Sequence, residues 1–100
     1  MTYVIKVNKP EQLVDFGFKK YGNAFYYNYG RGDTGVEIIV RNEDLMIQTG
    51  RMKAPKKVLS LFKTLYKHEL IRFENATDDV NIGNVILVDN IKKEIEKWTN

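Results

Sequence analysis

The sequence predicts a single α+β domain, helices packed on an antiparallel sheet, and three observations lead to that class. Segments 24–29, 36–41 and 44–49 agree on one strand register. Residues 55–68 carry apolar side chains at helical spacing, and residues 89–98 do so again. Length fits: 100 residues is one ordinary domain, enough to bury roughly 60 to 70% of the unfolded chain's surface. No repeat, low-complexity tract or Pro/Gly/Ser linker divides it, so residues 1–100 share one core.

Taken in order, Tyr3-Val4-Ile5-Lys6-Val7 is rich in residues that favour an extended chain and forms an N-terminal strand. Asn8 then offers a helix cap, Pro10 suits a first turn, and Leu13, Val14 and Phe16 supply the apolar positions of a short helix near 10–17. Gly17 before Phe18 suits a left-handed cap that folds the next apolar side chain over the last turn.

The central meander follows from one turn. With Asn42-Glu43 as its two-residue corner, Arg41 faces Asp44, Val40 faces Leu45, Ile38 faces Ile47 and Val36 faces Thr49. With 30–35 as the preceding loop, Tyr29 faces Val36, Tyr27 faces Ile38 and Phe25 faces Val40, all on the same side. That side is almost wholly apolar. The other carries Tyr26, Asn28, Glu37, Ile39, Arg41, Asp44, Met46 and Gln48, acceptable to water or a covering helix. A slip of one residue would bury charges instead.

Beyond Pro55, residues Val58, Leu59, Leu61, Phe62, Leu65 and Tyr66 define an amphipathic helix whose lysines point outward. Leu70-Ile71-Arg72-Phe73-Glu74 alternates like a short strand, and Val88, Ile91, Ile95 and Trp98 mark the C-terminal helix. Residues 76–88 are open to two readings. Val85-Ile86-Leu87-Val88 fits a buried strand, or the first turns of a longer helix interrupted by Gly83.

Composition excludes several classes of function. No stretch approaches the roughly 20 apolar residues of a membrane span. The N-terminus lacks the basic start, apolar run and cleavage site of a secretory leader. The absence of cysteine removes disulfides, thiolate metal sites and cysteine nucleophiles. A cytoplasmic location is the simplest expectation. The glycosylation pattern Asn75-Ala76-Thr77 is then a chance match.

Residues 30–35, Gly-Arg-Gly-Asp-Thr-Gly, match three functional patterns at once. A dinucleotide loop requires a helix to follow, whereas Val36–Val40 reads as strand. A kinase loop requires a much longer chain with H-R-D and D-F-G motifs, both missing. Arg31-Gly32-Asp33 would serve adhesion only outside the cell. A polar hairpin loop that uses glycine for left-handed backbone explains the stretch better.

Catalytic and metal-binding constellations are sparse. His68 stands alone near the end of a lysine-rich helix, where it favours the dipole, with no second ligand or nucleophile beside it. Asp79-Val80-Asn81-Ile82-Gly83 resembles the start of a calcium loop, but its glycine comes one position early and Asn90 stands where the closing glutamate belongs. No cofactor, metal or catalytic residue is assigned, and the balance is against an enzyme.

Aromatic and basic residues offer the remaining signal. Lys19-Lys20-Tyr21-Gly22-Asn23-Ala24-Phe25-Tyr26-Tyr27-Asn28-Tyr29 interleaves the two types, as nucleic-acid stacking surfaces do. The register sends Phe25, Tyr27 and Tyr29 to the core, leaving Tyr26, with Tyr21 or Phe18, for a ligand. Charge is more informative. The net +3 is uneven: residues 1–50 balance to zero, 51–72 carry seven cations against Glu69, and 73–100 net −3. Lys56, Lys63 and Lys67 recur on one helical face, and Arg51, Lys53 and Lys57 extend it through the approach to the helix, where positive charge opposes the dipole. These six residues are the candidate partner-binding set, for an acidic protein surface first and nucleic acid second. The competing explanation is a solvated face that serves solubility alone.

The run Leu13-Val14-Asp15-Phe16-Gly17-Phe18-Lys19-Lys20 ahead of an aromatic strand, with the Asn, Lys, Ile and Tyr bias, resembles small uncharacterised phage or mobile-element proteins of low-GC Gram-positive bacteria. The resemblance is one of style and implies an accessory protein that binds a macromolecule. The expected function is accordingly a non-enzymatic binding or regulatory module, with a nucleic-acid binder as the alternative and a small enzyme third.

Overall fold

A computed structural model describes residues 2–76 and 85–99. Six strands form one antiparallel sheet: β1 (Tyr3–Val7), β2 (Lys19–Tyr21), β3 (Ala24–Tyr29), β4 (Val36–Arg41), β5 (Asp44–Thr49) and β6 (Ile71–Asn75), in the spatial order β2-β3-β4-β5-β1-β6. Two α-helices, α1 (Lys56–Lys67) and α2 (Val85–Thr99), and a 3-10 helix at Pro10–Phe16 supply the second layer.

The meander has the register that the Asn42-Glu43 turn dictates. Ile38 pairs with Ile47 and with Tyr27, Val40 with Leu45 and Phe25, and Val36 with Thr49 and Tyr29. Asn42 takes the turn at φ 56°, a left-handed conformation that asparagine tolerates better than most residues. Phe25, Ile38, Val40, Leu45 and Ile47 then join one core with Ile5 and Val7 of β1, Val58, Phe62 and Leu65 of α1, and Leu87, Val88, Ile91 and Ile95 of α2.

Val4, Ala24 and Ile39 are buried as well but stand outside that core. All three belong to the sheet's second face, where one row runs Lys19, Tyr26, Ile39, Met46. Their neighbours within the sheet cover them, and among the described residues every helix that contributes to the core lies on the opposite side. The described residues thus form two layers, with one face of the sheet turned outward.

The structure refines the sequence reading at four places. The segment near 10–17 is a 3-10 helix of seven residues with a single buried residue, Leu13, since too little apolar surface is available there for a longer α-helix. Gly17 does close it in the left-handed region, φ 97°, and Phe18 folds under to be buried, which removes Phe18 from the ligand-facing aromatics. Strand β2 at Lys19–Tyr21 carries no alternation, because all three residues are exposed on the sheet's edge. Finally, α2 includes Val85–Val88, the longer-helix reading of that stretch, with Leu87 and Val88 buried. Asp79–Gly83, the calcium-like stretch, lies outside the described residues.

Candidate partner-binding face

Helix α1 forms because Val58, Phe62 and Leu65 fall on one side at 3.6-residue spacing and bury completely against the sheet. Nothing at its start favours it electrostatically. Pro55 at the cap makes no side-chain hydrogen bond, no acid occupies the first turn, and Lys56 and Lys57 stand where the dipole is positive. Lys56, Ser60, Lys63 and Lys67 lie opposite the buried stripe. Lys57 is turned to one side of them. Lys63 is half-buried, while Lys56, Lys57 and Lys67 are exposed.

The approach to α1 is built differently. Arg51 is half-buried, and its Nε donates to the Thr34 carbonyl at 2.5 Å. Thr49 donates through Oγ1 to the Gly35 carbonyl at 2.7 Å and accepts from the Arg51 backbone N–H at 3.1 Å. Residues 49–51 therefore hold the Gly30–Gly35 loop down, and the glycine-rich stretch is the corner of a hairpin, with Gly30 and Gly32 at φ 69° and 63°. Ala54 donates its backbone N–H to Asn90 Oδ1 at 2.9 Å, which ties the same approach to α2. Lys53 is exposed. Of the six candidate residues, Arg51 and Lys53 thus lie in the approach to α1 and the other four on the helix, and Arg51 has a structural task.

Helix α2 shows what neutralisation looks like in this molecule. Lys92 pairs with Glu96 at 2.9 Å, Lys93 with Asp89 at 3.1 Å and Lys97 with Glu94 at 3.4 Å, each within the helix. The hydrogen bond to Glu96 raises the Lys92 pKa above its ordinary value, and its Nζ also sits 4.3 Å from the Tyr3 ring centroid. Among the described residues, no ion pair of this kind reaches Lys53, Lys56, Lys57, Lys63 or Lys67.

Tyr21 and Tyr26 pack with ring centroids 5.8 Å apart, Tyr21 being 63% exposed. They lie on the sheet's second face, away from α1, so the lysines and this aromatic pair do not converge. What converges with α1 had no signal in the sequence. Tyr66, Trp98 and Arg72, from three separate elements, meet at the end of α1 around a hollow of about 750 Å³ that Lys9, Lys67, His68 and Glu69 also line. Trp98 ends the apolar stripe of α2, yet in the last turn it remains 46% exposed. Arg72 is held by Glu74 at 2.6 Å and by the Asn8 side chain, and the Glu74 hydrogen bond raises its pKa. His68 stacks obliquely on Phe16, with centroids 5.4 Å apart. Among the described residues no group of three or more His, Asp or Glu side chains is placed to hold a metal, and no helix is long and apolar enough to cross a membrane.

Compared with known proteins, the chain matches no family model, no curated protein and no solved structure.

Proposed function

We propose that this protein is a small non-enzymatic binding or regulatory module that engages an acidic protein partner through the basic band of Arg51, Lys53, Lys56, Lys57, Lys63 and Lys67. The observation that carries the reading is the contrast between the helices. Every lysine of α2 is matched by a carboxylate on its own helix. Helix α1 has four lysines, no acid, and two of those lysines at its unfavourable end. A surface selected only for solubility gains nothing from placing cations there, whereas an anionic partner would supply the missing counter-charge. An accessory protein of the phage or mobile-element kind fits this role.

Nucleic acid is the second reading. It is weakened because Tyr21 and Tyr26 stand on the face away from α1, so a strand lying along the lysines finds no stacking platform in that pair. The test is titration of fluorescein-labelled polyglutamate and of a mixed-sequence oligonucleotide at about 50 and about 200 mM salt. Polyglutamate should bind the native protein and fail to bind after Lys56→Glu, Lys63→Glu and Lys67→Glu are combined. Tighter oligonucleotide binding that falls steeply with salt would replace this reading with the second one, and polyglutamate binding unchanged in the triple variant would overturn it.

A further inference from the structure

The second face of the sheet is balanced in charge. Lys6, Lys19, Arg41 and Arg72 stand on it with Glu37, Asp44 and Glu74, and Glu43 at the turn between β4 and β5 reaches Arg72 at 3.7 Å, so four cations meet four acids. Lys19 and Arg41 take part in no ion pair among the described residues.

The residues are also ordered so that the face complements itself. The strand registers run one row from β2 to β6 as Lys19, Tyr26, Ile39, Met46, Val4, Glu74, and the next as Tyr21, Ala24, Arg41, Asp44, Lys6, Arg72. Both rows have their midpoint between β4 and β5, the centre of the strand order. A half-turn about an axis through that midpoint, parallel to the strands, lays a second copy on the face with β4 over β5, β3 over β1 and β2 over β6. Ile39 then meets Met46 and Tyr26 meets Val4, which makes an apolar centre. Arg41 of each copy meets Asp44 of the other, Lys19 meets Glu74, and Tyr21 meets the Arg72 guanidinium. Asp44 accepts from Lys6 through Oδ1 with its side chain 70% exposed, and Glu74 holds Arg72 through Oε2, so each carboxylate has a second oxygen for the incoming cation. A half-turn about the first row itself would set Lys19 on Lys19 and Glu74 on Glu74. Charge therefore selects the axis parallel to the strands, and a half-turn about a strand direction also maps a twisted sheet onto the same twist.

We infer that the second face of the sheet is a homodimer interface, occupied by a second copy of this chain. Area sets its strength. The six strands, at about 4.8 Å spacing and with about five residues each at about 3.3 Å, give about 500 Å² per copy and about 1,000 Å² for the pair, the lower limit for a specific interface. The dimer is therefore weak and concentration-dependent, and in dilute solution the face is open. Because α1 packs on the core side, both copies keep its lysines accessible to a partner.

The test is sedimentation equilibrium at about 0.15 M salt, from about 5 to about 500 µM protein, a range that brackets a weak dimer. The weight-average mass should rise from that of one chain toward that of two. Arg41→Glu sets acid against Asp44 across the interface, and Asp44→Arg sets cation against Arg41, so either variant alone should associate at least about tenfold more weakly. An equimolar mixture of the two variants should recover the dimer, because both contacts then pair opposite charges, a recovery that a misfolded chain would not give. Native protein that stays monomeric at the concentrated end would overturn the interface. Single variants that dimerise as the native chain does, or a mixture no more associated than its components, would overturn it too. Lys56→Glu combined with Lys63→Glu and Lys67→Glu should leave the dimer intact, and loss of the dimer in that variant would place the self-contact on α1 instead.

Discussion

The Arg51 guanidinium donates through Nε to the Thr34 carbonyl at 2.5 Å, joining the approach to α1 to the glycine-rich hairpin loop. Arg51→Lys keeps the charge but gives up the planar fork that reaches this carbonyl. The loss should be about 0.5 to 1.5 kcal/mol, the net worth of one such hydrogen bond. For a domain of this size that is a fall in melting temperature of several degrees, roughly 4 to 8 °C per kcal/mol. Polyglutamate affinity, by contrast, should stay near native, because the charge remains. A variant with native stability and lost affinity would mean that Arg51 acts on the partner rather than on the loop.

The same loop gives a sharper test of packing. A Cβ added at Gly35 would lie 3.1 to 3.2 Å from three backbone atoms of Arg31, and backbone cannot move aside as a side-chain tip does. Gly35→Ala should therefore cost about 1 to 3 kcal/mol, in the range for overpacking. At Gly22 the added carbon meets nothing within 4 Å, so only the positive φ of 59° is at stake. Gly22→Ala should cost about 1 to 2 kcal/mol from that backbone strain. Paired denaturant titrations would read both costs, and a neutral Gly35→Ala would show that the loop does not close on Arg31.

Ile38 and Ile39 are adjacent on β4 and face opposite sides of the sheet, Ile38 in the core and Ile39 on the second face. Ile38→Ala should cost about 2 to 5 kcal/mol, as for a fully enclosed aliphatic side chain. Among the described residues Ile39 is covered by its sheet neighbours, such as Tyr26 and Met46, which can close over the gap. Its replacement by alanine should cost roughly half as much. Equal losses in urea titrations would mean that another layer covers the second face in solution.

Ile38 and Ile39 also mark what the sequence made legible. Alternation across 24–49 and the Asn42-Glu43 turn determine the register completely, because the side-chain period of two lets only one pairing bury the apolar set. Strand β2 was not legible, since Lys19-Lys20-Tyr21 are all exposed and gain strand character only by pairing with Ala24–Tyr26 across a turn at Gly22. Nor was the insertion of β1 between β5 and β6, which depends on contacts between distant segments. The run of basic residues through 51–67 could be counted along the chain. The hollow beside it could not, because Tyr66, Arg72 and Trp98 converge only through tertiary packing.

Lys56 separates stability from function most cleanly. It is exposed, stands in the first turn of α1 and lacks an ion pair among the described residues, so its charge acts on the fold chiefly through the helix dipole. Lys56→Glu replaces an unfavourable charge at the positive end with a favourable one. The fold should gain about 0.3 to 1 kcal/mol at low ionic strength, and the gain should shrink as salt is added. If the basic band binds an acidic partner, the same substitution should weaken polyglutamate binding. A variant that melts higher and binds less would identify Lys56 as a residue kept for its partner at the expense of the helix. A variant that melts higher and binds equally well would place the contact farther along α1, at Lys63 and Lys67.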